Sequence, residues 1–196
     1  MAKAADTRRQ IMNAALRRFA EQGYAGTSVQ EIVDDARVTK PSLYYHFRNK
    51  ADLYRALVER AFEERYRLMQ EAVAQGGTMA DQLTEICAAL FKFIGRHRDL
   101  MRMAFATTFA AQGEVPDEAG CCQKGLRNFE FLHSLFKKAV AQGELNRDFD
   151  AEELAMCFVG LMHLYIMAYL IKVRGLPNRR TAERIVELFL AGARPA

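Results

Sequence analysis

Apolar side chains recur every three or four positions along most of the chain, which is the spacing of an α-helix with one buried face. The stretch Ala5–Gln22 is typical, and its apolar stripe comprises Ile11, Ala15, Leu16 and Phe19. Glycines interrupt the pattern at Gly76–Gly77 and at Gly143, where helices are expected to end. No segment alternates apolar and polar residues convincingly in the manner of a half-buried strand. The pattern therefore predicts an all-α protein with about nine helices.

Two short helices joined by a tight turn are predicted between residues 27 and 50. Ser28 followed three residues later by Glu31 is a capping box, which starts the first helix. Thr39 caps the second helix, and Pro41 lies in its first turn, where a missing N–H costs no hydrogen bond. These signals predict a compact helix–turn–helix.

The second of these helices has an apolar face and a polar one. Leu43 and Phe47 are four residues apart and face inward, whereas Lys40 and Tyr44 share a different face. A short helix that exposes lysine, serine and two tyrosines suits the major groove of DNA. Lys40 stands at the start of the helix and can donate to guanine O6 and N7. We therefore predict that this helix reads bases.

This stretch resembles the signature of the tetracycline-repressor (TetR) family of bacterial transcription regulators. The matching residues are Gly23, Thr27, Ile32, Ala36, Val38, Tyr44, His46, Phe47, Lys50 and Leu53. Val33 replaces the usual alanine, which changes only the packing volume. Arg37 replaces a turn glycine at which the backbone often needs positive φ. Either arginine costs about 1 kcal/mol there, or the turn is slightly different.

The resemblance implies a three-helix DNA-binding domain at residues 1–50 and a helical ligand-binding and dimerisation domain at residues 51–196. By resemblance, Pro41 and Tyr44 contact base edges or thymine methyl groups, and Ser42 contacts a base or a phosphate. Positions that commonly contact phosphates in the family are matched by Thr27, Tyr45, His46 and Lys50. The complete predicted DNA-binding set is Thr27, Ser28, Gln30, Thr39, Lys40, Pro41, Ser42, Tyr44, Tyr45, His46 and Lys50.

The distribution of charge points to the same end of the chain. The net charge is +4 at pH 7. Residues 1–60 contain eleven Lys and Arg against seven Asp and Glu, whereas the remaining residues contain seventeen of each. The excess positive charge therefore coincides with the predicted reading helix, as expected of a module that binds phosphates.

Leu154–Ile171 contains eighteen consecutive residues without Asp, Glu, Lys or Arg. A membrane span is one interpretation, because about twenty apolar residues cross a bilayer. Gly160, His163 and two tyrosines weaken it, and a helix that is apolar all round is otherwise buried all round. We therefore expect one side to face its own domain and the other a second copy, as the last two helices do in the TetR family. The predicted interface residues are Leu161, Tyr165, Ala168, Ile185, Val186 and Phe189.

The middle helices are rich in methionine and phenylalanine, which indicates either an ordinary core or a ligand pocket. The resemblance favours a cavity, which would take a small apolar or aromatic effector. The candidates are Phe91, Met101, Met103, Phe105, Phe109, Phe129, Phe131, Met156, Met162 and His163. For His163, a hydrogen-bonded core position and a pocket contact both remain open. His97, His133 and His163 lack the spacing of metal ligands, so we predict neither a metal nor a cofactor.

Other functional classes find less support in the sequence. The four cysteines lack C-x-x-C spacing and are expected to be free thiols. The adjacent Cys121 and Cys122 leave redox control as an alternative, which requires a lowered thiol pKa.

No apolar run follows Met1, so a secretory signal is not expected and a cytoplasmic location is predicted. No catalytic motif of a hydrolase, phosphate-binding loop or metalloprotease occurs, so we do not predict an enzyme.

These features predict a homodimeric DNA-binding transcription regulator. The specific expectation is a repressor that leaves a palindromic operator when a small apolar or aromatic effector binds. The rival from another class is a helical ligand-carrying or scaffold protein whose three-helix motif is only a packing unit. Binding to DNA separates the two.

Overall fold

The computed structural model describes residues 2–108, 110–111, 114–116 and 119–193, and gives only the backbone of residues 2–4 and 119–122. Across these ranges it contains nine α-helices and no strand, so the all-α prediction is confirmed. In chain order the helices are α1 (Ala2–Gly26), α2 (Val29–Ala36), α3 (Lys40–His46), α4 (Lys50–Ala74), α5 (Met79–Arg96), α6 (Arg98–Thr108), α7 (Ala119–Gln142), α8 (Ala151–Leu170) and α9 (Arg179–Ala193).

The chain divides into two compact units that alternate along the sequence. One comprises Met1–Glu63 and Asp99–Lys124, and the other comprises Glu64–Arg98 and Gly125–Ala196. The predicted boundary at residue 50 differs from this division, which falls inside α4 and assigns α6 to the N-terminal unit. The sequence alone could not reveal this division, because the apolar stripe of α4 continues without interruption from one unit into the other.

The first three helices share a small core within the N-terminal unit. α1 packs against both α2 and α3. Ile11 and Phe19 of α1, Ile32 of α2 and Leu43 of α3 are all buried. Because these residues follow the helical spacing, each helix places its apolar face against the other two. The arrangement leaves one face of α3 open to solvent.

The C-terminal unit is centred on three phenylalanine rings. Phe136 of α7, Phe158 of α8 and Phe189 of α9 have ring centroids 5.4–5.7 Å apart and pack edge to face. α5 closes this core by packing against α8 and α9. Aromatic rings in such geometry stabilise a core beyond the area they bury.

α8 is the apolar segment for which a membrane span is the alternative interpretation. Its twenty residues are long enough to cross a bilayer. The most apolar eighteen-residue stretch within it has a mean hydropathy of 1.6, and a third of that stretch is buried. The buried residues are Ala151, Leu154, Ala155, Phe158, Met162, Ile166 and Leu170, and they point into the C-terminal unit. A capping box of Asp150 and Glu153 starts the helix. One side of α8 is therefore a core face, as expected for the buried-helix interpretation.

Arg37 ends α2 in the left-handed region, with φ 54° and ψ 45°. Its N–H donates to the Asp34 carbonyl at 3.1 Å, and the Val38 N–H donates to the Val33 carbonyl at 3.0 Å. These two bonds satisfy the last carbonyls of α2 in the way a glycine usually permits. Of the two alternatives for this turn, the strained arginine is therefore the one that the structure adopts.

We expect Arg37→Gly to stabilise the protein by about 1 kcal/mol, because glycine adopts positive φ without a Cβ penalty. Urea unfolding of the full chain measures the change. Arg37→Ala removes the same charge but keeps the Cβ, so it should give no comparable gain. Equal stabilisation by both variants would attribute the effect to charge and contradict the backbone explanation.

Candidate nucleic-acid interface

Both helices of the helix–turn–helix begin with the predicted caps. The Ser28 hydroxyl accepts from the Glu31 N–H at 3.2 Å, and the Glu31 carboxylate accepts from the Ser28 N–H at 2.7 Å. Hydrogen bonds to its carboxylate lower the pKa of Glu31, first from the backbone N–H of Ser28 and second from the Ser28 side chain. The Thr39 hydroxyl accepts from the Ser42 N–H at 3.3 Å. The two hydroxyls thus fix where each helix starts.

The exposed face of α3 carries most of the predicted base-reading residues. Lys40 and Pro41 are exposed, and Ser42 is half-buried. Tyr44 and Tyr45 are 50% and 80% exposed, although both are large aromatic residues. Beneath them, Leu43 is fully buried against the other helices. Exposed aromatic rings on a short, firmly anchored helix are typical of a surface that meets a partner.

The predicted phosphate-contacting residues differ in their environment. The Lys50 ammonium donates to the carbonyl oxygens of Tyr24 and Thr27, both at 2.8 Å, and lies 4.2 Å from the centroid of the Tyr24 ring. Thr27 is 1% exposed, and its hydroxyl donates to the Gly23 carbonyl at 2.8 Å. Both side chains therefore hold the α1–α2 connection in place. We do not include Thr27 among the proposed phosphate contacts, because its side chain is committed to the interior.

The remaining predicted DNA contacts lie at the edges of this surface. His46 is half-buried and meets the Tyr45 ring edge to face, with centroids 5.0 Å apart. The Gln30 amide donates to the Asp34 carboxylate at 2.7 Å, on the exposed side of α2. The Gln30 amide is therefore already bonded within α2, and its contact with DNA stays a prediction.

An ion-pair cluster ties α1 to α2. Arg17 and Arg18 donate to the two oxygens of Asp35 at 3.3 and 3.1 Å. The hydrogen bond from Arg18 is the main cause of a lowered pKa for Asp35. The charges of these arginines are partly used in pairing with Asp35. Arg37, Lys40 and Arg48, by contrast, are exposed around α3. The positive charge available to phosphates therefore lies beside the reading helix.

The structure distributes the predicted pocket residues over different environments. Phe91, Met101, Met103 and Met162 are buried, while Phe105, Phe129, Phe131 and His163 are half-buried. Met156 is 60% exposed on α8, because the helix turns its adjacent residue Ala155 inward instead, and its place in a pocket stays a prediction. Phe109 lies outside the described residues.

In the part of the chain that the structure describes, each unit contains a cavity that the sequence did not indicate. A cleft of about 480 Å³ in the N-terminal unit is lined by Tyr24, Tyr54, Arg102 and Met103 among others. Behind it, the Tyr54 hydroxyl and the Thr107 hydroxyl are hydrogen-bonded at 2.8 Å. A smaller recess of about 230 Å³ in the C-terminal unit is lined by residues of α4, α5 and α7. Met103 is the one predicted pocket residue that lines either of these two cavities.

His163 forms a hydrogen bond with a residue that the sequence reasoning missed. Its Nε2 lies 3.1 Å from Nη2 of Arg65 on α4. Burial, and secondarily the charge of Arg65, lowers the pKa of His163 to about 4. Burial also lowers the pKa of Arg65 to about 10. The available signal was the position of Arg65, which interrupts the apolar stripe of α4 between Phe62 and Met69.

The low pKa of His163 predicts a loss of stability in mild acid. Its folded pKa of about 4 lies below the ordinary 6.5, so between these values the unfolded chain binds more protons than the folded one. Stability should fall by about 3 kcal/mol as the pH drops through this window. His163→Gln should remove that part of the pH dependence in urea unfolding at a series of pH values. Identical slopes for both proteins would contradict the assignment.

The predicted dimer residues fall into two groups. Ile185, Val186 and Phe189 are at most 7% exposed within the single chain, and their place in a dimer interface stays a prediction. They fill the core of the C-terminal unit because α9 turns that face toward α5 and α8. Leu161, Tyr165 and Ala168 are half-buried on α8. Leu164 on α8 and Leu188 on α9 are large apolar residues that stay exposed, at 68% and 65%.

Two described cysteines, Cys87 and Cys157, lie in different environments. Cys87 is buried, and burial raises the pKa of its thiol to about 12, so it is inert. Cys157 is exposed on α8. The side chains of Cys121 and Cys122 lie outside the described ones, so redox control stays an alternative. Among the described residues, no three His, Cys, Asp or Glu side chains are grouped as metal ligands.

Known proteins are similar to this chain in sequence and in fold. Residues 11–57 match the model of bacterial regulatory proteins of the tetR family. The transcriptional regulator AcuR of Cereibacter sphaeroides is 30% identical over 152 residues, which cover 76% of this chain and 69% of that protein.

Solved structures extend the likeness to the whole fold. FadR of Bacillus subtilis, in complex with stearoyl-CoA, has a TM-score of 0.77 at 19% identity over 93% of this chain and 97% of that one. A gamma-butyrolactone receptor, described as ArpA-like, has a TM-score of 0.70 at 27% identity over 96% of each chain. Because the sequence match covers the helix–turn–helix and AcuR is similar over most of the chain, this protein belongs to the TetR family of bacterial transcription regulators.

Proposed function

We propose that the protein is a homodimeric repressor that leaves a palindromic operator when a small effector binds. The observation that carries the DNA-binding part is the exposed face of α3, where Lys40, Pro41 and Tyr44 stand over a buried Leu43. A helix of this kind enters a major groove with its first residues against base edges. Lys40 donates to guanine, while Pro41 and Tyr44 contact base edges or thymine methyl groups, and Ser42 meets a base or a phosphate.

Phosphate contacts are proposed for residues that flank the reading helix. Tyr45 and His46 lie at its C-terminal end, and Tyr45 is the more exposed of the two. Lys50 is included because an ammonium group has three N–H donors, two of which reach the carbonyls of Tyr24 and Thr27. Such contacts fix the orientation of the protein on the duplex without reading sequence.

The homodimer is proposed from the apolar surface that α8 and α9 leave exposed. Leu164 and Leu188 are both more than 60% exposed. Large apolar side chains on a helix already packed on its opposite side are typical of a protein interface. A two-fold axis through this surface would relate two copies of the helix–turn–helix, which together form the two reading heads of the dimer. The two halves of a palindrome require these heads to be about 34–36 Å apart, or a multiple of that distance.

Selection of binding sites from random duplex DNA tests the proposal. The full-length protein is expected to enrich a palindrome whose half-sites are separated by a whole helical turn. Binding without enrichment of any sequence, or no binding at low salt, would favour the helical ligand-carrying or scaffold protein.

Lys40→Ala is expected to relax the preference at one base pair of each half-site by about 1–3 kcal/mol. Competition between the selected operator and single-base variants measures this preference. Lys92→Ala, on the exposed side of α5, removes the same charge far along the chain and should change nothing. Uniform weakening on all sequences would show that Lys40 meets only phosphate.

The effector is proposed to be a small apolar or aromatic molecule. Two proteins of the same fold are described with ligands that have an organic, partly apolar body, FadR with stearoyl-CoA and the ArpA-like protein as a gamma-butyrolactone receptor. Any effector acts only through different affinities for the DNA-bound and free forms. Operator DNA should therefore weaken effector binding by the same factor, typically about 5–150-fold. Effector affinity that is indifferent to operator would leave DNA binding intact but refute the switch.

A further inference from the structure

The cleft of about 480 Å³ in the N-terminal unit has an aromatic wall. Phe19 and Tyr24 near the end of α1 and Tyr54 of α4 all line it, and their ring centroids are 5.1–5.9 Å apart. Phe19 and Tyr54 are each 4% exposed and therefore fixed by packing, whereas Tyr24 is half-buried. A cleft of this volume, with aromatic residues and few polar groups, has the size and lining of a small-molecule site.

The cleft also holds a positive charge that is not used in the fold. Arg102 of α6 lines it and is exposed. Within the described part of the chain, its guanidinium group forms no hydrogen bond or ion pair. Glu114 lines the same cleft but is not paired with Arg102, and its carboxylate accepts from the Ala111 N–H at 3.0 Å. The charge available to a guest is therefore a cation with a fork of N–H donors.

The aromatic wall is joined to the connection that positions the helix–turn–helix. Gly23 and Ala25 line the cleft beside Tyr24. The Lys50 ammonium donates to the Tyr24 carbonyl at 2.8 Å and lies 4.2 Å from the centroid of the Tyr24 ring. A guest that moves Tyr24 would therefore disturb the contacts that hold the α1–α2 connection.

We infer that this cleft binds an aromatic carboxylate. Its ring would pack offset or edge to face against Tyr24 and Tyr54, as aromatic pairs prefer. Its carboxylate would accept two parallel hydrogen bonds from Arg102, which are roughly twice as strong as bonds to a neutral acceptor. The like charge of Glu114 keeps the carboxylate at the Arg102 end of the cleft. The inference deepens the proposed function by giving the effector a place and a charged group, and its effect on DNA rests on that function.

The test is isothermal titration of the full-length protein with three matched compounds. 2-Naphthoate and 2-naphthamide have nearly the same shape and differ in charge, and the acid is expected to bind about 10-fold more tightly. Decahydro-2-naphthoate keeps the carboxylate but has no aromatic ring, and it is expected to bind about 3- to 10-fold more weakly than 2-naphthoate. Calorimetry is suitable because the chain contains no tryptophan for intrinsic fluorescence.

Variants of Arg102 test the carboxylate contact. Arg102→Met keeps the length of the side chain and is expected to abolish the preference for acid over amide. Arg102→Lys keeps the charge without the fork, so its preference should be intermediate. Arg55→Met is the matched control, because Arg55 is an exposed arginine on α4 that does not line the cleft. It should leave the preference unchanged.

A variant that fills the cleft tests the location. Ala106 is exposed on α6, one helical turn after Arg102, and lines the cleft. Ala106→Phe is expected to abolish binding of the acid and the amide alike, because the added ring occupies the space of the guest. Ala141→Phe, at an exposed position on α7, adds the same ring outside the cleft and should leave both affinities unchanged. Urea unfolding establishes that each variant is folded.

Failure of 2-naphthoate to bind overturns the inference, as does equal affinity for 2-naphthoate and either of the other two compounds. Retention of the preference in folded Arg102→Met, or of binding in folded Ala106→Phe, also overturns it. Operator affinity with and without 2-naphthoate is measured separately, so the two proposals can fail independently. An acid that binds through Arg102 without changing operator affinity would confirm the site and separate it from the switch. If the protein binds no operator, the calorimetric comparison still decides the site.

Discussion

Leu164→Glu is expected to convert the protein into a folded monomer whose affinity for its operator is at least about 100-fold lower. Leu164 is 68% exposed in the single chain, so a glutamate there does not disturb the core of its own unit. At a two-fold interface the substitution places a carboxylate on each copy, and burying such unpaired charges costs about 3 kcal/mol or more. Loss of one reading head also removes half of the phosphate contacts.

Sedimentation velocity gives the mass of the variant, and fluorescence anisotropy with labelled operator gives its affinity. Leu126→Glu serves as the matched control, because Leu126 is an equally large residue, 55% exposed on α7. It should remain dimeric and bind operator normally. A Leu164→Glu protein that is still dimeric would show that the copies associate through another surface.

Phe158→Ala is expected to lower the free energy of unfolding by about 3–5 kcal/mol. Phe158 is fully buried, and its ring meets Phe136 at 5.7 Å and Phe189 at 5.4 Å between centroids. Truncation therefore removes buried apolar area, leaves a cavity and breaks two edge-to-face contacts at once.

Urea unfolding followed by circular dichroism measures the loss, with Phe149→Ala as the control. Phe149 is 43% exposed in the connection before α8, so its truncation should cost much less. A loss of less than about 1 kcal/mol for Phe158→Ala would mean that the core collapses around the missing ring, contrary to a well-packed cluster.

The local features of the reading head were determined by the sequence. The capping box of Ser28 and Glu31 and the cap at Thr39 appear where the pattern predicts them. Capping depends on side chains within three residues of the helix start, so nearby sequence contains the necessary information. The inward positions of Leu43 and Phe47 follow for the same reason, since spacing along a helix fixes which residues share a face.

The sequence showed that the turn at Arg37 is unusual, but it did not determine the backbone conformation there. A residue that replaces a turn glycine can keep the turn with strain or change the turn. Only the backbone angles show that Arg37 keeps it. The choice depends on the packing of α2 and α3 against α1, which is worth more than the local penalty.

Tertiary structure alone decided which apolar faces are core and which are available to a partner. Ile185, Val186 and Phe189 have the same spacing as interface residues, yet they pack inside the chain, while Leu188 between them is exposed. Periodicity defines the faces of a helix without stating what each face meets. The Arg65–His163 pair is hidden for a related reason. Its members are 98 residues apart, and only the packing of α4 against α8 brings a cation and an imidazole together.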